Sequence, residues 1–185
     1  MKYEYETNRL SMKILKEDSA SLVADYYKRN KNFLSICEPS RPSGFYTEEY
    51  HARLLKKDYE FIKSRSMLTL WLFKKCDSSR IIGQLTFYNI VPFAFCSCHI
   101  GYKGDKDEAC KGYITEAVNK GISIIFEDYG IHRIEAHVLP ENSASLKVLK
   151  NTGFTCEGTA RNFLEVNGKW LDHLHLSLVK EDLQK

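Results

Sequence analysis

Glu108-Ala-Cys-Lys-Gly-Tyr-Ile-Thr-Glu-Ala-Val118 is the stretch that decides how this chain reads. It joins a tight loop to the start of a long amphipathic helix. Tyr113/Ile114, Ala117/Val118, Gly121/Ile122 and Ile125/Phe126 recur at helical spacing. That is an apolar stripe along about four turns, roughly 24 Å of helix at ~1.5 Å per residue. Gly130 reads as its C-terminal stop. The first amides of such a helix have no internal partner, and together with the helix dipole they attract anions. The backbone from Ala109 through Cys110, Lys111, Gly112, Tyr113 and Ile114 to Thr115 is therefore a candidate phosphate cradle.

Working outward, Phe95 to Tyr102 reads as a strand before the loop, and His132 to Leu139 as a strand after the helix, stopped by Pro140. Strand, loop, helix and strand make the unit that gives a parallel pair with a right-handed crossover. Asn142 caps a shorter helix to Asn151, and Gly153 stands where a left-handed residue ends it, with Phe154 placed to pack near Leu149. Phe154 to Val166 and Lys169 to Leu178 flank Asn167-Gly168, a strong hairpin signal.

Upstream, Leu10, Met12 and Ile14 alternate with Arg9, Ser11 and Lys13, a first strand with one buried face. Asp18 or Ser19 caps a helix carrying Leu22, Val23, Tyr26 and Tyr27 on one side. Glu38-Pro-Ser-Arg-Pro-Ser-Gly44 breaks the pattern as a loop, either part of an acceptor wall or a plain connection. Thr47 caps a helix from Glu48 to Ile62, with Ala52, Leu55, Tyr59 and Ile62 on one face. Met67 to Phe73 and Ile81 to Asn89 form a hairpin around Asp77-Ser-Ser79, with Gly83 weakening its second strand. Ile90-Val-Pro-Phe93 interrupts before the next strand, since Pro92 cannot donate to a ladder.

The chain has 185 residues, 43% hydrophobic and 12% aromatic, which suits a single domain over 1–185 with a sizeable core. A formal charge of +3 is too mild for a nucleic-acid binder, and Lys28-Arg-Asn-Lys31 reads as a solvated face. The cysteines Cys37, Cys76, Cys96, Cys98, Cys110 and Cys156 form no Cys-x-x-Cys pair. Without a hydrophobic leader or a long apolar run, the expectation is a reduced, cytoplasmic protein with free thiols and no membrane partner. Cys96-x-Cys98 and His173-x-His175 would need adjacent strands to bind a metal, and none is expected. Gly-x-Gly-x-x-Gly and the P-loop spacing are both absent.

Several segments then fall into a known order: Cys98-His-Ile-Gly-Tyr102, Lys111-Gly-Tyr-Ile-Thr-Glu-Ala117 and His132-Arg-Ile-Glu-Ala136. Pro140-Glu-Asn-Ser-Ala-Ser145, Gly153-Phe154 and Asn167-Gly-Lys-Trp-Leu-Asp172 follow, and Thr7-Asn-Arg-Leu10 matches an opening strand. With these the chain resembles the GNAT superfamily of N-acetyltransferases. Within it, the chain looks most like the branch that acetylates the N-terminal residue of bacterial ribosomal proteins.

The resemblance implies an α+β fold in three layers. Its mixed, mostly antiparallel central sheet would have about seven strands, one parallel pair splayed at a cofactor cleft, and about four flanking helices. It implies acetyl-coenzyme A as cofactor, with its diphosphate on the Ala109–Thr115 backbone and its pantetheine arm paired near Ile100, Gly101 and Tyr102. Asn142 would contact that arm, and Ser145 would protonate the leaving thiolate. A primary amine would attack directly, without an acyl-enzyme. Glu135 is the first candidate for its general base, on the expectation that burial raises its pKa. His99 and His137 are alternatives, and Glu116 is either a further candidate or simply a residue that favours the helix dipole. The acceptor would be the N-terminus of a ribosomal protein, or a small amine such as an antibiotic or polyamine. A partner-binding relative without turnover is the remaining reading, and the protein would be a monomer or homodimer. The family's phosphate loop reads Gln/Arg-x-x-Gly-x-Gly/Ala, whereas the three defining places here hold Asp107, Cys110 and Gly112. That departure bears on cofactor affinity more than on cofactor identity, because backbone donors make the main contacts.

Overall fold

The computed structural model describes residues 2–36 and 41–184. Cys37 and the first part of the proline-bearing loop, Glu38 to Ser40, lie outside the described residues. The strands are β1 (Glu4–Glu6), β2 (Leu10–Lys13), β3 (Leu68–Lys74), β4 (Asp77–Val91), β5 (Ser97–Gly104), β6 (Arg133–Val138), β7 (Thr155–Val166) and β8 (Lys169–Val179). The helices are α1 (Ala20–Arg29), α2 (Lys31–Leu34), α3 (Glu48–Lys63), α4 (Tyr113–Glu127) and α5 (Ser143–Asn151). The strands form one sheet in the order β1-β2-β3-β4-β5-β6-β8-β7. Every neighbouring pair is antiparallel except β5 with β6. The eighth strand is β1, too short at three residues to show a period.

Helices cover both faces, which gives the three layers. On one face α4 lays Ala117, Val118, Ile122 and Ile125 over Leu85, Phe87, Ile100 and Ile134. Gly121 lets the helix come close, since a Cβ there would lie 2.6 Å from Leu85 Cδ2. On the other face α1 and α3 bring Tyr26, Tyr27 and Leu55 over Trp71, Phe73 and Ile81. β2 therefore buries both of its faces: Ser11 is 7% exposed beside fully buried Leu10 and Met12. The alternation in the sequence predicts one buried face and misses the second helical layer.

Most local signals hold. Thr47 Oγ1 accepts from the Tyr50 amide at 3.3 Å. Asn142 Oδ1 accepts from the Ser145 amide at 3.0 Å. Asn167 and Gly168 take the positive φ of a tight hairpin, 52° and 81°. Three readings are corrected. Neither Asp18 nor Ser19 caps α1, because the chain enters through a 3-10 turn at Glu17–Ser19 and the Ser19 hydroxyl donates to Asp18 instead. Asp77 begins β4 rather than the preceding turn, which falls at Lys75–Cys76. On α3 it is His51 that is fully buried with Leu55 and Ile62, while Ala52 and Tyr59 are only half-buried.

His51 stacks face to face on Tyr27 at 5.1 Å between ring centres, with Phe45 and Tyr50 at its edges. Burial among these rings pushes its pKa down to about 4. The folded state thus prefers the neutral ring. The stability this contributes is complete above the unfolded value of ~6.5 and is lost as pH falls towards 4, up to about 3 kcal/mol. Urea unfolding of wild type and His51→Phe at pH 7, 5.5 and 4 checks this: the variant is expected to lose less stability on acidification by that order.

Candidate active site

The sheet comes apart at one place. β5 and β6 pair only through Ser97↔Arg133, Cys98↔Ile134 and His99↔Glu135. Beyond that, β5 stays with β4 as far as Gly83↔Gly104, and β6 stays with β8 as far as Val138↔Leu174. Ile100, Gly101 and Tyr102 thus line one side of a wedge-shaped gap with no strand partner towards β6.

The far end of β5 is fastened away from β6 by Asp105. This carboxylate is fully buried and takes hydrogen bonds from Arg29, from Arg80 at 2.9 Å, from Asn30 at 3.2 Å and from the Asp107 amide at 2.9 Å. Burial alone would raise its pKa, but Arg29, the amide and Asn30 outweigh it and keep the group below the usual range. Its own amide reaches the Ile82 carbonyl at 2.9 Å, and the Tyr26 hydroxyl donates to the neighbouring Gly104 carbonyl at 3.2 Å.

The chain then turns through a 3-10 segment, Lys106–Glu108, into α4. Cys110 has φ +62° and Gly112 φ +79°. Cys110 therefore adopts the left-handed shape that glycine takes most cheaply, at the place where the family pattern has glycine. Among the described residues, none of the amides from Ala109 to Thr115 is seen to donate to another group of the chain. The acidic residue of the loop is neutralised: Asp107 pairs with Arg80 and Lys106, whose hydrogen bonds pull its pKa to about 2. The Lys111 ammonium turns back to the Asp107 carbonyl at 2.8 Å and to Glu108 at 2.9 Å, closing the loop.

Arg9, just after the β1–β2 turn, clamps this region. Its side chain donates to Glu116 at 2.6 Å and to the Lys111 carbonyl at 3.0 Å, and its amide donates to Glu116 at 2.9 Å. The Thr7 hydroxyl also donates to Glu116. Burial pushes the Glu116 pKa up, but Thr7 and Arg9 outweigh it, so the group is ionised and fully engaged. A groove lined by Thr7, Asn8, Gly112, Thr115, Asn119 and Asn151 runs from the loop along α4.

The two faces of the gap differ chemically. On the α4/α5 face, the Tyr102 hydroxyl lies 2.8 Å from Ser145 Oγ and 3.0 Å from the Ser145 carbonyl. Burial raises the Tyr102 pKa to about 12, with the Ser145 contact pulling slightly the other way, so it stays protonated. Sequence reasoning places Ser145 here but gives Tyr102 only a backbone role. Strand alternation from Ile100 is the signal that could have paired the two.

On the other face lie Tyr88, His99, Glu135, His137 and His175. Glu135 Oε2 meets His175 Nε2 at 2.7 Å, and Oε1 lies 3.3 Å from Arg133 Nε. The expected upward shift of Glu135 is overturned: burial does push it up, but His175 and Arg133 together bring it below the usual carboxylate value. His137 is pushed down to about 4, mainly by burial and then by its histidine neighbours, and His99 is lowered for the same leading reason. Among the described residues, no group of three or more His, Cys, Asp and Glu is arranged to hold a metal, and no helix is long and apolar enough to cross a membrane.

The chain is also similar to known proteins. The acetyltransferase (GNAT) domain family matches residues 9–155. The [ribosomal protein uS5]-alanine N-acetyltransferase of Escherichia coli strain K12 is 35% identical over 182 residues, 98% of this chain and 93% of that protein. The crystal structure of ribosomal-protein-S5-alanine acetyltransferase from Vibrio fischeri superposes with a TM-score of 0.92 at 32% identity, covering 98% of both chains. Mycobacterium smegmatis RimJ in complex with CoA-disulfide superposes with a TM-score of 0.87 at 26% identity, covering 95% of this chain and 84% of that one.

Asp105→Asn removes the charge that Arg29 and Arg80 share, while both arginines keep some access to water. A loss of about 2 kcal/mol is expected, less than for a fully enclosed ion pair. The urea midpoint measures it.

Proposed function

The chain belongs to the GNAT acetyltransferase family, and on that footing we propose that it transfers the acetyl group of acetyl-coenzyme A to the N-terminal amine of a ribosomal protein. One observation carries the reading: a strand gap open beside a run of unbonded loop amides. A cofactor with a diphosphate and an amide-bearing arm fits both parts. The acceptor is inferred from relatives of similar length that act on a ribosomal-protein alanine. A ribosomal acceptor places the enzyme in the cytoplasm.

When bound, acetyl-coenzyme A supplies an activated acetyl group and a thiol leaving group. The amides of Ala109, Cys110, Lys111, Gly112, Tyr113, Ile114 and Thr115 would hold its diphosphate, with the α4 dipole behind them. Ile100, Gly101 and Tyr102 offer their open strand edge to the arm, and Asn142 adds a side-chain contact beside it. A backbone donor on that edge would stabilise the developing negative charge, and losing such a donor typically costs about 10²–10³ in rate. Ser145 and Tyr102 act as one hydroxyl pair: Ser145 delivers the proton to the departing sulfur, and Tyr102 replenishes it.

Three results are expected. Acetyl-coenzyme A raises the melting temperature, since a ligand that binds only the folded state stabilises it. A thiol-release assay across peptide N-termini and small amines gives its largest kcat/KM with an alanine-initiated ribosomal peptide. No melting shift at millimolar cofactor rejects acetyl transfer, and a polyamine or antibiotic as best acceptor rejects the ribosomal assignment. Ser145→Ala and Tyr102→Phe each lower kcat by about 10²-fold with the melting shift intact, and the double variant is no worse than the weaker single.

A further inference from the structure

Four strands bring aromatic and titratable side chains into one row on the sheet face opposite α4 and α5. Leu85 and Phe87, which carry α4, pair with Tyr102 and Ile100. Their alternates therefore point the other way: Tyr88 pairs with His99, and His137 with His175. The rings run Tyr88–His99 at 5.4 Å, His99–His137 at 5.4 Å and His137–His175 at 4.6 Å between centres. Phe163 covers His137 from β7 at 4.1 Å. His99↔Glu135 is the last pair before the strands part, so His137 lies beyond it on the open stretch of β6. The row thus sits at the apex of the gap, on the side away from the Ser145–Tyr102 pair.

We propose that His175, oriented by Glu135, is the base that accepts a proton from the acceptor amine. This rests on the acetyl-transfer reading above. Glu135 is itself a poor base, because its carboxylate is already bonded to His175 and paired with Arg133. Arg133 is in turn held by Glu157, which also accepts from the Ser177 hydroxyl at 2.6 Å. What this arrangement fixes is the imidazole. With Nε2–H donated to Glu135, the neutral ring carries its lone pair on Nδ1, for which no hydrogen-bond partner is seen among the described residues. His137 and His99 stay neutral at pH 7, so no imidazolium on either side of the row repels an incoming ammonium. His173, on the same strand, is tied to the Leu171 carbonyl at 3.0 Å.

The proton balance closes. One proton leaves the ammonium for His175 Nδ1, where Glu135 stabilises the imidazolium, and passes to solvent. The free amine forms the C–N bond as the C–S bond breaks. The amide nitrogen gives up a second proton to solvent, the thiolate gains one from Ser145–Tyr102, and solvent returns a proton to that hydroxyl pair, so that one proton is released per turnover.

Kinetics and nitrogen NMR test this together. His175→Gln is expected to lower kcat about 10²–10³-fold at pH 7. It should also move the acid limb of the kcat profile to higher pH, with partial recovery where the amine is already neutral, while the acetyl-coenzyme A melting shift is unchanged. Glu135→Gln should reduce kcat and displace that limb, and Glu135→Asp should restore part of the rate. In the cofactor-free wild type at pH 8, the ¹⁵N shifts of His175 should report the Nε2–H tautomer, with Glu135→Gln releasing it. That readout needs no folded His175 variant. An Nδ1–H tautomer, or a His175→Gln enzyme with wild-type kcat and pH profile, overturns the proposal. A wild type that binds acetyl-coenzyme A but releases no thiol with any amine overturns the acetyl-transfer reading and this proposal with it.

Discussion

The brevity of the β5–β6 ladder governs the molecule. Three residue pairs join these strands, and then each follows its other neighbour. A parallel pair gains little per residue, so small forces decide where it ends. Here the force is visible. Asp105, Tyr26 and the Ile82 carbonyl draw the end of β5 over β4 and α1, while β8 keeps β6 in register along its whole length. The cleft is thus built from interactions outside it. The buried carboxylate at its foundation also accepts from the Asp107 amide, at the start of the loop that leads into α4.

Splitting a sheet in this way leaves a gap whose two faces carry different chemistry. The helical side carries neutral hydroxyl donors, kept protonated by burial of Tyr102. The opposite side carries a carboxylate and imidazoles, acceptors kept unprotonated by burial and ion pairing. A reaction that must remove a proton at one end and supply one at the other needs that separation, because groups of matched purpose placed together would neutralise each other. The sheet itself is the partition.

Much of this was legible in local sequence. Asn142 as a cap, Asn167-Gly168 as a hairpin and the strand–loop–helix–strand unit around Glu108 to Val118 all depend on neighbours in the chain, and all appear in the structure. What was not legible depends on distant partners. Glu135 looks like an inner-strand carboxylate open to an upward shift. Only the fold brings His175 to it from 40 positions away. Asp105 has no periodic or motif signal, yet it gathers Arg29 and Arg80 from two other elements. Ser11 breaks the one-sided reading of β2 because the second helical layer is a tertiary fact. Tyr102 stands out in the sequence only for its backbone, and its hydroxyl's contact with Ser145 comes from the fold, since alternation says where a side chain points and not what waits there.

The Arg9 clamp has a consequence at long range in the chain. One side chain from the N-terminal strands fastens both the last carbonyl before the α4 cap and a glutamate one turn into the helix. Order in the loop before α4 and order in the first ten residues are thus tied through one side chain. The leading segment of this chain is therefore held at two places, in the core through Tyr5 and Leu10 and at the start of α4 through Arg9.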